Sequence, residues 1–149
     1  MKIYLGADHA GFELKSELKQ LLAKQGHDVV DVGDLKLDPN DDYPQYAYNL
    51  VTKLLGEEGD TGRGILICGS GQGMSIAANR VRGIRAALAW DAPTGQAAKE
   101  DDDANVLVLS SRFTSKPKVL AAVEAWLEAK FKGDAKYKRR LDEIEQLYG

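Results

Sequence analysis

The densest chemistry in the chain lies in Ile67-Cys68-Gly69-Ser70-Gly71-Gln72-Gly73, where a cysteine and a serine share one short loop with three glycines. A thiol is a proton-transfer group once ionised. The N–H groups of a glycine-rich turn, exposed beside a helix start, converge on an anion. An apolar run enters this loop and a helix-like pattern leaves it, so it sits where ligands gather in a parallel α/β sheet, outside a strand's carboxyl end. One acid/base group and an oxyanion cradle from a single loop suit proton transfer next to a carbonyl. Buried cysteine is more often an inert small hydrophobe; its place at a strand end argues against that here. The glycines also resemble a dinucleotide fingerprint, with Asp91 as the ribose-binding acid. The spacing departs from G-x-G-x-x-G, and the third strand carries it rather than the first.

Further polar residues fall at the same edge. Gly6-Ala7-Asp8-His9-Ala10-Gly11 joins the first strand to the first helix, so Asp8 and His9 lie beside Cys68. Asp8 also fits a plain helix N-cap. Arg112 follows the fifth strand. Lys136 and Arg140 are four apart on the last helix, project from one face and are placed to clamp a phosphate; a solvated charged face is the plainer explanation. Four acids, 100–103, precede the fifth strand. A solvated turn is the default reading, with a Mg²⁺-type site as its rival.

These groups must be positioned by elements that alternate along the chain. Strand-like runs fall at 2–6, 29–32, 64–68, 84–90 and 106–109, and helical patterns at 11–25, 43–55, 74–81, 92–100, 115–131 and 135–147. Residues 33–42 form a turn-rich loop, and Gly133 breaks the last two helices. Repeated β–α units with right-handed crossovers imply an α/β, three-layer Rossmann-like domain built on a five-stranded parallel sheet. The last helix carries a thin stripe of Tyr137, Leu141, Ile144 and Tyr148, which fits packing on a second subunit.

With 149 residues, 44% hydrophobic and 29% charged, the chain reads as one domain, 1–149. A net charge of −3 gives no electrostatic reason for nucleic acid or an anionic membrane as partner. The lone Cys68 forms no internal disulfide, which fits a cytoplasmic setting. No apolar run nears the ~20 residues of a membrane span, and Met1 leads directly into a strand-like segment rather than a signal peptide.

Taken together, residues 6–11, Asp42-Tyr43-Pro44, 67–71, Ile76-Ala77-Ala78-Asn79, Gly83-Ile84-Arg85-Ala86 and Asn105-Val106-Leu107 resemble the type B ribose-5-phosphate isomerases and their galactose-6-phosphate isomerase relatives. The resemblance runs over essentially the whole chain, in order. It implies an aldose–ketose isomerase of a phosphorylated sugar, with ribose 5-phosphate the expected substrate. It implies neither metal nor organic cofactor, and a homodimer or dimer of dimers. Cys68 matches the base that moves a proton between C1 and C2, and Ser70 the hydroxyl that shuttles protons between the oxygens. The amides of Gly69, Ser70, Gly71, Gln72 and Gly73 match the anion hole. Asp8 and Tyr43 match sugar contacts, and His9 a substrate or phosphate contact. Arg112, Lys136 and Arg140 match phosphate-binding positions, the last two reaching across a dimer interface.

Two departures stand out. Some members carry a glutamate a few residues beyond the cysteine, where this chain has Met74. The family's His-Asn-Asp before the fifth strand is Asp101-Asp102-Asp103 here, so Asp101 replaces a ring-opening histidine and Asp102 takes a substrate-contact position. Asp has an ordinary pKa of ~3.9 and is a poor acid at neutral pH. Crowding by neighbouring carboxylates is what would raise it. The family's Arg-His pair on the last helix is Lys136-Tyr137, which keeps the charge but loses the guanidinium fork. A binding or regulatory module without turnover is therefore the rival function.

Overall fold

A computed structural model describes residues 1–58 and 61–149. The elements are β1 (Lys2–Ala7), a 3₁₀ turn (His9–Gly11), α1 (Phe12–Lys24), β2 (Asp28–Asp31), α2 (Tyr43–Lys53) running on as a π-helical turn (Leu54–Glu58), β3 (Arg63–Cys68), α3 (Gln72–Ala78), β4 (Ala86–Leu88), α4 (Ala92–Glu100), β5 (Val106–Ser110), α5 (Lys116–Glu128) and α6 (Ala135–Tyr148). All strand pairs are parallel, in the order β2-β1-β3-β5-β4. This is the α/β architecture expected from the alternation of elements. No helix among the described residues is long and apolar enough to cross a membrane.

Alternation along the strands sorts the core into two layers. Ile65, Ile67, Leu107 and Leu109 join Leu18, Val123 and Trp126 on the α1/α4/α5 face. Leu66, Cys68, Val106 and Val108 join Leu50, Val51 and Met74 on the α2/α3 face. Cys68 is thus the last even-numbered residue of β3, and strand parity sends its side chain toward α3.

Element ends differ from the periodicity where side chains capture the backbone. The run 84–90 yields only three strand residues: Arg85 N–H donates to the Asn105 side chain, and the Trp90 and Asp91 amides donate to Thr94 Oγ1 in a capping box that opens α4. α3 starts two residues early, at Gln72, and its end is fixed by Asn79, whose amide bridges Ser75 O and Ala86 O. α1 starts one residue later than its pattern, behind the 3₁₀ turn that Asp8 caps. α6 has no buried residue at all, and Ile144, Leu147 and Tyr148 are exposed.

Candidate active site

At the carboxyl edge the backbone does most of the positioning. Cys68 is 5% exposed, and its Sγ accepts the Gly71 N–H at 3.1 Å. That bond depends on Gly71 adopting φ +79°, and a Cβ there would meet Leu88 Cδ1 at 2.5 Å, so only glycine fits. Ser70 Oγ accepts the Gln72 N–H at 3.2 Å. The first bond of α3 then runs from Ser75 N–H to Gly71 O. Gly73 and Met74, in its first turn, have no carbonyl four residues back within the helix. Two of the five amides expected to form an anion hole are thus already directed at Sγ and Ser70 Oγ.

Neighbouring elements close around this loop. The Tyr43 ring lies so near Gly73 that a Cβ would fall 2.5 Å from its Cζ, which brings the first residue of α2 to the site. Arg112 N–H donates to Gly69 O at 2.9 Å, and its exposed guanidinium crosses the loop, with Nη2 2.9 Å from where a Gly69 Cβ would sit. Ser110 Oγ ties the same carbonyl down at 2.7 Å. Asp8 is nearly buried, and its Oδ1 accepts from Ala10 and Gly11 N–H at 3.0 and 3.2 Å. The N-cap reading of Asp8 and its place in the site hold together. Burial lifts its carboxyl above the ordinary value, and the Gly11 amide and the nearby His9 hold that rise back.

His9 has a partner that the sequence reading missed. Asp41 Oδ1 accepts from His9 N–H at 3.0 Å and lies 2.7 Å from His9 Nδ1. Asp8, His9 and Asp41 place ligand-type atoms within 4.8 Å of one another. Hydrogen bonds explain that spacing: Nδ1 and Oδ1 are bonded to each other, and Asp8 Oδ1 is engaged by two amides. The residues give no reason to assign a metal there.

The other predicted residues collect at the opposite edge. Asn105, five residues before Ser110, accepts Gly64 N–H at the start of β3, and α4 ends beside it at Asp101. Cys68 closes β3 at the far end, about 17 Å of strand away at ~3.3 Å per residue. Here Lys132 Nζ reaches Asp101 Oδ1 at 2.8 Å and Glu100 Oε2 at 3.3 Å. Lys132, Lys136 and Arg140 surround the Tyr137 ring at 5.5, 4.8 and 5.8 Å from its centroid. The hydrogen bond from Lys132 is the main cause holding the Asp101 carboxyl below its ordinary value. Crowding therefore does not make Asp101 an acid. Asp103 is held by Lys99 and Arg85. The acidic run is an ion-paired cap rather than a bare solvated turn, save for Asp102. Asp102 is exposed and borders a cleft of about 550 Å³ between Ile84 and the Leu141/Ile144/Tyr148 side of α6.

One chain thus holds two separate sets of groups: Cys68, Ser70, Asp8, His9, Tyr43 and Arg112 at one edge, and Asp101, Asp102, Lys136 and Arg140 at the other. Residues 3–144 match the family model described as Ribose/Galactose Isomerase. The chain belongs to that family. Ribose-5-phosphate isomerase B of Mycobacterium tuberculosis is 38% identical over 142 residues, 95% of this chain and 86% of that protein. The crystal structure of ribose-5-phosphate isomerase B from Mycoplasma genitalium with bound ribulose-5-phosphate superposes with a TM-score of 0.93 at 39% identity, covering 97% of this chain and 94% of that one. The Thermotoga maritima ribose 5-phosphate isomerase gives 0.91 at 40% identity, covering 98% of each chain. As a family member the protein is a sugar-phosphate isomerase that interconverts aldose and ketose.

Proposed function

We propose that this isomerase converts ribose 5-phosphate to ribulose 5-phosphate, with Cys68 as the base. The observation that carries this reading is the Cys68 side chain itself: shielded from water, at the carboxyl end of β3, with an amide donating to its sulfur. The likeness to the Mycoplasma genitalium enzyme, solved with ribulose-5-phosphate, supports the choice of sugar.

In the open-chain aldose the Cys68 thiolate takes the proton from C2. The electron pair forms the C1–C2 double bond, and O1 gains the negative charge. The loop amides, with Gly73 and Met74 the freest, hold the enediolate oxygens. Ser70 Oγ passes the O2 proton to O1, and the Cys68 thiol returns its proton to C1, leaving the carbonyl at C2. Protons balance and no cofactor is consumed. Asp8 and Tyr43 hold sugar hydroxyls, and Arg112 and His9 meet the phosphate end. Lys136 and Arg140 complete the phosphate site from a second copy of the chain, because their own Cys68 lies across the sheet. The active unit is then at least a homodimer, working in the cytoplasm.

Asp101, ionised beside Lys132, has no proton to give a ring oxygen at neutral pH. The enzyme on this reading takes substrate that has already opened. The test is a coupled assay on ribose 5-phosphate with wild type and Cys68→Ala. The expected outcome is turnover by wild type and a kcat at least ~100-fold lower in the variant, the lower end for general acid–base catalysis. Near-normal turnover in folded Cys68→Ala would remove the thiol from the mechanism. Binding of ribose 5-phosphate by wild type without turnover would favour the regulatory module.

A further inference from the structure

The loop between β2 and α2 carries a carboxylate that proton transfer at Cys68 does not use. Asp41 is in a turn-rich, otherwise exposed stretch, yet its side chain is only 6% exposed. One oxygen, Oδ1, receives both the backbone N–H and the Nδ1 side of His9, 32 residues earlier in sequence. The double contact fixes where the His9 backbone sits and how its ring is turned. The ring itself remains 42% exposed, and Nε2 makes no hydrogen bond among the described residues.

The loop is itself anchored. Tyr46 on α2 donates its hydroxyl to Asp34 Oδ2 at 2.5 Å, and its phenol is raised by burial and by the carboxylates of Asp34 and Asp41. Lys15, 1% exposed, donates to Asp34 O at 2.7 Å and Asp31 Oδ1 at 2.9 Å. A chain of contacts therefore runs from a buried lysine in α1 through the loop to the imidazole.

We propose that Asp41 is a positioning residue for His9: it turns the ring so that Nδ1–H is held and Nε2–H is presented outward to the phosphate of the substrate. This rests on the phosphate role given to His9 above. With Nδ1 bound to a carboxylate, the ring keeps a proton on that nitrogen, and any second proton goes to Nε2, where it makes a charge-assisted bond to phosphate. The charged groups facing the ring are Asp8 on its own turn and Asp38 and Asp41 on the loop. All three favour the imidazolium, the Asp41 hydrogen bond most, so His9 titrates above its ordinary value. Burial pushes the Asp41 carboxyl up, but the His9 contacts, with a hydrogen bond from Tyr46, outweigh this and hold it low. The ion pair therefore persists from above the depressed Asp41 value up to the raised His9 value.

Two readouts on Asp41→Asn decide the matter. Imidazole ¹⁵N NMR of the substrate-free protein follows the His9 tautomer and titration. The expected result is a His9 titration moved to lower pH and a loss of the fixed Nδ1–H tautomer. Steady-state kinetics on ribose 5-phosphate should then show KM raised about tenfold near neutrality, from loss of a charged hydrogen bond. The loss should fall on KM rather than kcat, and the rise of KM with pH should begin earlier than in wild type. Asp41→Glu, which keeps the carboxylate, should recover part of both effects and serves if the asparagine variant does not fold. An unmoved His9 titration, or a KM penalty equal at every pH, would overturn the proposal. Absence of turnover by wild type would instead overturn the choice of substrate, and the NMR titration would still decide the role of Asp41.

Discussion

The two edges of the sheet hold functional groups by opposite means. At the carboxyl edge, side chains are few and the backbone positions them: Gly71 at φ +79° delivers an amide to Cys68, Asp8 is pinned by two amides, and the Tyr43 ring lies where a Gly73 Cβ would fall. At the amino edge, side chains are long, charged and exposed, and they hold one another. Lys132 bridges two acids, three cations share the Tyr137 ring, and α6 buries nothing in its own chain. The first edge is held in place by contacts within one chain. The second is a cluster of exposed charge, and exposed ion pairs fix little by themselves; on the proposed function a second copy of the chain completes it.

This contrast can be sharpened by substitution. The largest effect should come from the charge cluster, if it binds the substrate's phosphate. Removing both cations in the Lys136→Ala/Arg140→Ala double variant should raise KM for ribose 5-phosphate by at least about 100-fold, at roughly 1.5–3 kcal/mol per charged hydrogen bond, with a smaller change in kcat. Circular dichroism should show little loss of stability, because neither residue is buried. A KM within a factor of about two of wild type would separate α6 from the active site.

A smaller effect should follow from Gly73→Ala. The added methyl would meet the Tyr43 ring, and overpacking costs about 1–3 kcal/mol. Tyr43 should yield, lowering kcat/KM about tenfold, and Tyr43→Ala in the same background should relieve the stability loss. Unchanged kinetics in Gly73→Ala would mean that the tyrosine does not need its observed position.

The smallest effect is expected at Asp101. Asp101→Asn should change kcat by less than about threefold, because a carboxyl kept ionised by Lys132 is already unable to act as an acid. Asp101→His should raise activity on ring-closed substrate. A large drop in Asp101→Asn, with loss of an acid limb in the pH profile, would make Asp101 a proton donor after all.

The carboxyl edge was the more legible in sequence for the same physical reason. Strand parity, the glycine loop and the N-cap at Asp8 are local patterns, and local patterns are what a single chain displays. Asp41 was not legible: it was read as one acid in a turn, and only the tertiary approach of the 33–42 loop to His9 gives it a partner. Lys15 did leave a trace, since it falls on the inner face of α1, three and seven residues before Leu18 and Leu22, but its counter-ion Asp31 comes from another element. The Lys132–Asp101 bridge spans 31 residues and carries no local signal. Strand β4 was overestimated because an apolar run does not reveal that Asn105 and Thr94 side chains claim its ends.

The claim that each active site draws on both edges of the sheet, and hence on two chains, is tested most directly by subunit mixing. Cys68→Ala lacks only the carboxyl-edge base, and Lys136→Ala/Arg140→Ala lacks only the amino-edge cations. Unfolded, mixed in equal amounts and refolded together, they form dimers of which half are mixed, and each mixed dimer holds one whole site. Assayed at ribose 5-phosphate far below the double variant's raised KM, activity should rise from near zero in either parent to about a quarter of the wild-type rate. A mixture no more active than the sum of its parents, with mixed dimers demonstrated by mass, would contradict the shared site.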